Sequence, residues 1–217
     1  MGKLKGAILV LSGPSGCGKS SMLKKLFNEF DNYYFSISTT TRQIREGEKE
    51  GRDYYFIDKE QFEKDIEDEM FLEWAIVHGN YYGTSIRPVL ESLEKDELVI
   101  FDIDVQGYKI IKEKLDNFTT SIFITTPSHA CLEERLINRA TDSKEVIEKR
   151  LVNAYEEMKH IKSYDYFIIN DDLEKASDLL ISIAKTSFAS IKLYDDKKLI
   201  DNWRGKGLSE DLFHQID

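Results

Sequence analysis

Two kinds of apolar pattern alternate along the chain. Short unbroken runs rich in β-branched residues, such as Ala7-Ile8-Leu9-Val10-Leu11 and Leu98-Val99-Ile100-Phe101, have the signature of strands buried on both faces. Between them apolar positions recur three and four apart, as in Met22, Leu23, Leu26 and Phe27, or Phe62 and Ile66. That is the mark of a helix with one buried face. The pattern predicts strands over 7–11, 33–37, 54–57, 71–77, 98–104, 120–125 and 166–169. It predicts helices over 21–27, 59–69, 86–94, 105–115, 128–138, 144–162 and 172–194. Residues 38–48 carry too little apolar content for a core element and read as a loop. Gly79-Asn80-Tyr81-Tyr82-Gly83 reads as a turn into a further strand or loop. Strand alternating with helix predicts an α/β fold, with a parallel sheet flanked by helices. The alternation lapses between about 34 and 95, where a mixed β/α insertion is expected. The expected core is then 1–33 with 96–194, followed by a tail of unassigned role, 195–217.

The chemistry begins where the first strand meets the first helix. Gly13-Pro14-Ser15-Gly16-Cys17-Gly18-Lys19-Ser20 fits the phosphate-loop pattern G-x-x-x-x-G-K-[ST] in full, with a strand before it and a helix after it. Glycines let the backbone curl so that several N–H groups face one anion, and the helix N-terminus adds positive potential. Lys19 is expected to reach the β- and γ-phosphates of a nucleotide, and the Ser20 hydroxyl to ligate magnesium. The expected core is therefore of the P-loop NTPase type.

Composition narrows the partners. The 217 residues carry a net charge of −10, which argues against nonspecific nucleic-acid binding. The apolar runs are far shorter than the roughly 20 residues of a membrane span, and no signal peptide is expected. Cys17 and Cys131 form no metal or redox spacing, and Cys131 reads as a packing residue. A reducing cytoplasmic setting fits. His78, His129, His160 and His214 are scattered, so no protein-built zinc site is expected.

Two further clusters suggest phosphoryl transfer. The strand over 98–104 ends in Asp102 and Asp104, which alternate with Ile103 and are expected on one side of it. Beside a phosphate loop such acids approach the magnesium, directly or through water. Arg135 and Arg139 lie four apart on one helical face, and Arg150 follows a polar segment. Arginines around such a segment suggest a lid, 135–150, that closes on phosphates. A solvated face salt-bridged to Glu133, Glu134 and Glu148 is the alternative.

Taken together the chain resembles guanylate kinase, over roughly residues 6–185. The motifs are Ser12-Gly13-Pro14-Ser15-Gly16, Ser38-Thr39-Thr40-Thr41-Arg42-Gln43-Ile44-Arg45, Gly51-Arg52-Asp53-Tyr54, Phe71-Leu72-Glu73-Trp74-Ala75, Gly79-Asn80-Tyr81-Tyr82-Gly83-Thr84, Asp102-Ile103-Asp104-Val105-Gln106-Gly107 and Ile169-Asn170-Asp171-Asp172-Leu173. The resemblance implies transfer of the γ-phosphoryl group of ATP to GMP with Mg²⁺, by a core, a GMP-binding insertion and a helical lid. It implies that Gly13 through Ser21, with Asn170 near the adenine, hold ATP. Arg42, Arg45, Tyr54 and Tyr82 would hold the GMP phosphate, where guanidinium forks match phosphate oxygens. Glu73, with Ser38, Thr84 and Asp104, would read guanine. One carboxylate accepts from both guanine N1–H and the exocyclic amine, whereas adenine presents an acceptor there. Lys19, Arg42, Arg135, Arg139 and Arg150 would neutralise the transition state, and Asp102 would stand behind the magnesium shell.

The chain departs from that pattern in places. Ala140 stands where a glycine often follows the lid arginine, and Thr84 replaces a serine while keeping the hydroxyl. Trp203 and Phe213 are expected to dock the tail on the core, with an interface as the alternative. Other readings are a kinase for a different phosphorylated acceptor, a non-catalytic phosphopeptide scaffold and a GTPase. Glu73 with its hydroxyl neighbours, the intact Lys19 and Ser20, and the lack of an N-K-x-D run weigh against them in turn. The implied ribose contacts leave dGMP open as an acceptor.

Overall fold

The structure, a computed structural model, describes residues 6–77, 79–138 and 143–203. In chain order the elements are β1 (Ala7–Ser12), α1 (Lys19–Phe27), β2 (Tyr33–Phe35), β3 (Thr39–Thr40), β4 (Tyr55–Phe56), α2 (Lys59–Glu67), β5 (Phe71–Val77), β6 (Asn80–Ser85), α3 (Arg87–Glu94), β7 (Leu98–Asp102), α4 (Val105–Leu115), β8 (Thr119–Thr125), α5 (His129–Asn138), α6 (Lys144–Met158), β9 (Tyr166–Ile169), α7 (Leu173–Ser187) and α8 (Asp196–Trp203).

Five strands form a parallel sheet in the order β2-β7-β1-β8-β9. The central strand β1 is buried throughout and feeds both faces. Ala7, Leu9 and Leu11 join one cluster with Met22 and Leu26 of α1 and Leu180 and Ala184 of α7. Ile8 and Val10 join the other, with Val89 of α3 and Tyr108 and Ile111 of α4. This is the period-2 alternation of a strand covered on both sides. The phosphate loop, Asp102, Thr125 and Asn170 all lie at or just beyond the carboxyl ends of these strands, where open α/β sheets bind ligands.

A second sheet, in the order β4-β3-β6-β5, is built between β2 and β7. Helix α2 packs on it through Phe62, whose ring stacks on Phe71 at 4.2 Å and on Tyr81 at 5.0 Å. Lys114 of α4 donates to the main-chain oxygens of Phe71 (3.1 Å) and Leu72 (3.0 Å), tying this sheet to the core.

Several expectations are corrected. Within the loop expected over 38–48, Thr39 and Thr40 form a strand and are 3% and 0% exposed. The Thr40 hydroxyl makes its burial tolerable, since Oγ1 donates to the Tyr81 carbonyl at 2.8 Å. Residues 80–85 form a full strand paired along β5. The strand expected over 98–104 stops at Asp102, because Asp104 starts the next helix. Its Oδ1 accepts from the N–H groups of Gln106 (3.0 Å) and Gly107 (2.8 Å), as an N-cap does. Asp102 and Asp104 therefore do not alternate along one strand. The long helices end early, α6 at Met158 and α7 at Ser187, each followed by a short 3₁₀ turn. Trp203 is 87% exposed and does not dock on the core; just ahead of the tail, Leu193 is fully buried in the core cluster, with Tyr194 packed against it. Arg139, Ala140, His78, Phe213 and His214 lie outside the described residues.

Candidate active site

The phosphate loop is shaped by what its glycines leave out. Gly13 has φ +143°, and a Cβ there would lie 1.9 Å from the Ile124 carbonyl oxygen of β8. Gly18 has φ +103°, and a Cβ there would lie 2.2 Å from Asn170 Nδ2. Inside the loop the Cys17 N–H donates to the Pro14 carbonyl at 3.1 Å. Cys17 itself is buried, and burial pushes its thiol above the ordinary range, so it is packing rather than a nucleophile. Cys131 is a half-buried free thiol on α5.

A cavity of about 530 Å³ opens far from the loop, around Thr119, Asp165 and Ser187. The one that bears on chemistry is smaller, about 370 Å³. It is lined by Gly13, Pro14, Ser15, Gly16, Gly18, Lys19, Ser20, Asp102, Ile103, Asp104 and Glu157. Lys19 Nζ donates to the Gly13 carbonyl at 2.5 Å and stands 3.8 Å from Asp102 Oδ1. Burial raises the Asp102 carboxyl above its usual range, and Lys19 only partly offsets this. A carboxylate in that position gains from a cation. Ser20 and Asp102 supply hard oxygen donors on one cavity, which suits a small divalent ion shared with phosphates and water. Among the described residues, no group of three or more His, Cys, Asp or Glu side chains could hold a metal alone.

The arginines flank the loop. Arg150 of α6 donates to Ser15 Oγ. Arg135 of α5 donates to the main-chain oxygens of Cys17 (3.3 Å) and Asn170 (2.7 Å). On that side a second cavity, about 440 Å³, is lined by Gly16, Gly18, Ser21, Arg135, Asn138, Asn170, Asp171 and Leu173.

The second sheet carries two groups. The Arg42 guanidinium lies 5.5 Å from the Tyr54 ring centroid, and the Tyr54 and Tyr82 rings are 6.0 Å apart. Arg45, nearby in sequence, is exposed. Glu73 and Thr84 face each other across β5 and β6, and Thr84 Oγ1 donates to Glu73 Oε1 at 2.6 Å. Ser38 is half-buried, and its carbonyl accepts from Tyr55 N–H at 3.0 Å.

A family model described as guanylate kinase matches residues 5–186. The chain belongs to the guanylate kinase family. Among its relatives, a guanylate kinase of Wolinella succinogenes is 55% identical over 206 residues, covering 95% of this chain and 96% of the relative. One from Helicobacter hepaticus is 51% identical over 199 residues, covering 92% and 99%. The crystal structure of guanylate kinase from Anaplasma phagocytophilum superposes with a TM-score of 0.66 at 32% identity, covering 94% of this chain and 97% of that one.

Within this guanylate kinase frame two acids stand out that sequence reasoning left unassigned. Glu48 Oε1 accepts from Arg42 Nη2 at 2.7 Å, and its Oε2 accepts from the Arg45 N–H at 2.8 Å. The Arg42 hydrogen bond holds the Glu48 carboxyl below its ordinary value. Spacing was the only signal: Glu48 follows Arg42 by six residues, across a turn at Gly47 with φ +88°. Glu157 lines the phosphate cavity from α6, and burial raises its carboxyl. One helical acid among the many of α6 carries no signal in sequence.

Proposed function

We propose that this chain transfers the γ-phosphoryl group of ATP to GMP, giving ADP and GDP. The observation that carries this reading is the phosphate-loop cavity with Lys19, Ser20 and Asp102 on one wall, in a chain of the guanylate kinase family. We read residues 1–33 and 96–194 as the core, 34–95 as the GMP-binding insertion and 135–150 as the lid. Ser20 and, through water, Asp102 would hold a magnesium ion beside the nucleotide. When bound, the ion neutralises charge on the phosphates.

The chain's own residues supply positioning and electrostatics, the main demands of phosphoryl transfer. Lys19 leaves the Gly13 carbonyl for the phosphates. Arg42, Arg45, Tyr54 and Tyr82 hold the acceptor phosphate; the Arg42 guanidinium already lies over the Tyr54 ring. Glu73 accepts from the guanine edge, with Thr84 fixing its carboxylate; Ser38 and Asp104 complete that pocket. Arg135, Arg139 and Arg150 approach the transferring group as the lid closes, which also excludes water. The role in the cell is purine nucleotide metabolism and GMP recycling in the cytoplasm. The described residues contain no helix long and apolar enough to cross a membrane.

The test is ADP formation from Mg-ATP with GMP, dGMP, AMP, CMP and UMP in parallel. Turnover confined to the guanine nucleotides is expected. Turnover with another base overturns the specificity, and ATP binding without turnover overturns the activity. Lys19→Ala is expected to lower turnover by about 10²–10³-fold or more with the fold intact, as loss of a preorganised charge does.

A further inference from the structure

The resemblance places Asn170 near the adenine of ATP. Its contacts point elsewhere. Asn170 follows β9, and its main-chain N–H donates to the Thr125 carbonyl at 2.8 Å. The residue is 3% exposed, and its side-chain Nδ2 donates to the Cys17 carbonyl at 2.7 Å. Arg135 adds a second donor to that carbonyl at 3.3 Å and holds Asn170's own carbonyl at 2.7 Å. The Cys17 oxygen thus accepts from two side chains that line the second cavity and not the phosphate cavity.

A trans peptide points its C=O and N–H in opposite directions, and the described residues contain no cis peptide. Fixing the Cys17 carbonyl therefore fixes the Gly18 N–H on the opposite side. Gly18 lines the phosphate cavity with Lys19 and Ser20. No described hydrogen bond uses the Gly18 N–H. The plane needs such a lock because its far end is a glycine at φ +103°, where rotation meets little steric resistance. Any side chain at position 18 would displace the Asn170 amide, so the two residues are matched.

We infer that Asn170 is a positioning residue of the phosphate loop, turning the Gly18 N–H toward the phosphates by holding the Cys17 carbonyl away from them. This rests on the reading that the loop binds the phosphates of ATP. Asn170 also borders the second cavity, so a contact to the base is the competing role. Tripolyphosphate separates the two, because it has the phosphates and no base.

The experiment is calorimetric titration of wild type and Asn170→Asp with Mg-ATP and with Mg-tripolyphosphate. Aspartate keeps the shape and replaces the donor by an acceptor facing the Cys17 oxygen. Both affinities are expected to fall together by about tenfold or more, the scale of one hydrogen bond to a charged group, while GMP affinity holds. A fall for ATP alone, or for neither, overturns the inference. Wild-type protein that binds neither ligand would instead overturn the phosphate-loop reading, and this inference with it.

Two measurements guard against a variant that fails to fold. Asn170→Ala is read by the same criterion. A crystal structure of wild type with tripolyphosphate should show Gly18 N on a phosphate oxygen and Asn170 Nδ2 still on the Cys17 oxygen; absence of either contact overturns the proposal. In solution the Gly18 amide proton should move downfield on adding tripolyphosphate to wild type and not to the variant, a signature that a merely structural role would not produce.

Discussion

Specific residues act here through the partner that orients them. Glu73 is exposed on β5, yet Thr84 Oγ1 holds one of its oxygens at 2.6 Å, so under the proposed function its carboxylate is oriented in advance. Glu73→Gln replaces one of two acceptors with a donor aimed at guanine's own donors. It is expected to lower kcat/KM for GMP by about 10²-fold while ATP affinity is unchanged. Equal losses for both nucleotides in a steady-state comparison would count against Glu73 as the base reader. Glu48 plays the corresponding part for Arg42. Its folded-state carboxyl is held below the ordinary glutamate value of 4.5. A lowered acid contributes stability above its unfolded value and loses it as pH falls through the folded one. Thermal midpoints of wild type and Glu48→Gln should therefore differ at neutral pH and converge below the folded-state value. A gap that persists into strong acid would show that the pair is not the cause.

Elements here are defined as much by their ends as by their interiors. Asp58, Asp104 and Asp172 cap α2, α4 and α7 with side-chain oxygens, and the cap at Asp104 cuts β7 short. Thr39 and Thr40 enter a sheet because their peptide groups, and the Thr40 hydroxyl, find partners there, a matter of pairing rather than hydrophobicity. The segment after α7 is anchored in the same local way. Leu193 is buried in the core cluster shared by α1 and α7, whereas Trp203 stands in solvent. Leu193→Ala is expected to destabilise by about 2–5 kcal/mol, the range for emptying a core leucine. Trp203→Ala should stay within about 0.5 kcal/mol. Chemical denaturation of both variants checks the contrast, and a costly Trp203→Ala would place the anchor elsewhere.

At the scale of the molecule, the two sheets are joined at several points. Lys114 links them, and β2 and α3 connect into the second sheet from either side. A ligand at 100 times its Kd should stabilise the folded chain by about 2.7 kcal/mol. For a chain of this size that is a rise of about 5–10 °C in melting temperature. If the two sheets melt as one unit, Mg-ATP and GMP should each raise a single calorimetric transition. Two transitions, of which GMP moves only one, would show that the second sheet unfolds by itself.

Much of this was legible in the amino-acid sequence because the signals are local. A strand buried on both faces must be apolar throughout, a helix must repeat its apolar positions every three to four residues, and a loop wrapping phosphates needs glycines at set places. These constraints determined the parallel α/β core, the phosphate loop between β1 and α1, and the motifs that placed the chain in its family. Tertiary structure decided what depends on distant partners. Whether Asp104 continues a strand or caps a helix rests on N–H groups that only a formed helix presents. Glu48 matters because the chain folds back at Gly47 to meet Arg42. Asn170 reaches the Cys17 carbonyl across 153 positions of sequence. No periodicity encodes such a contact, because its energy exists only once β9 lies beside β8 and brings Asn170 to the loop.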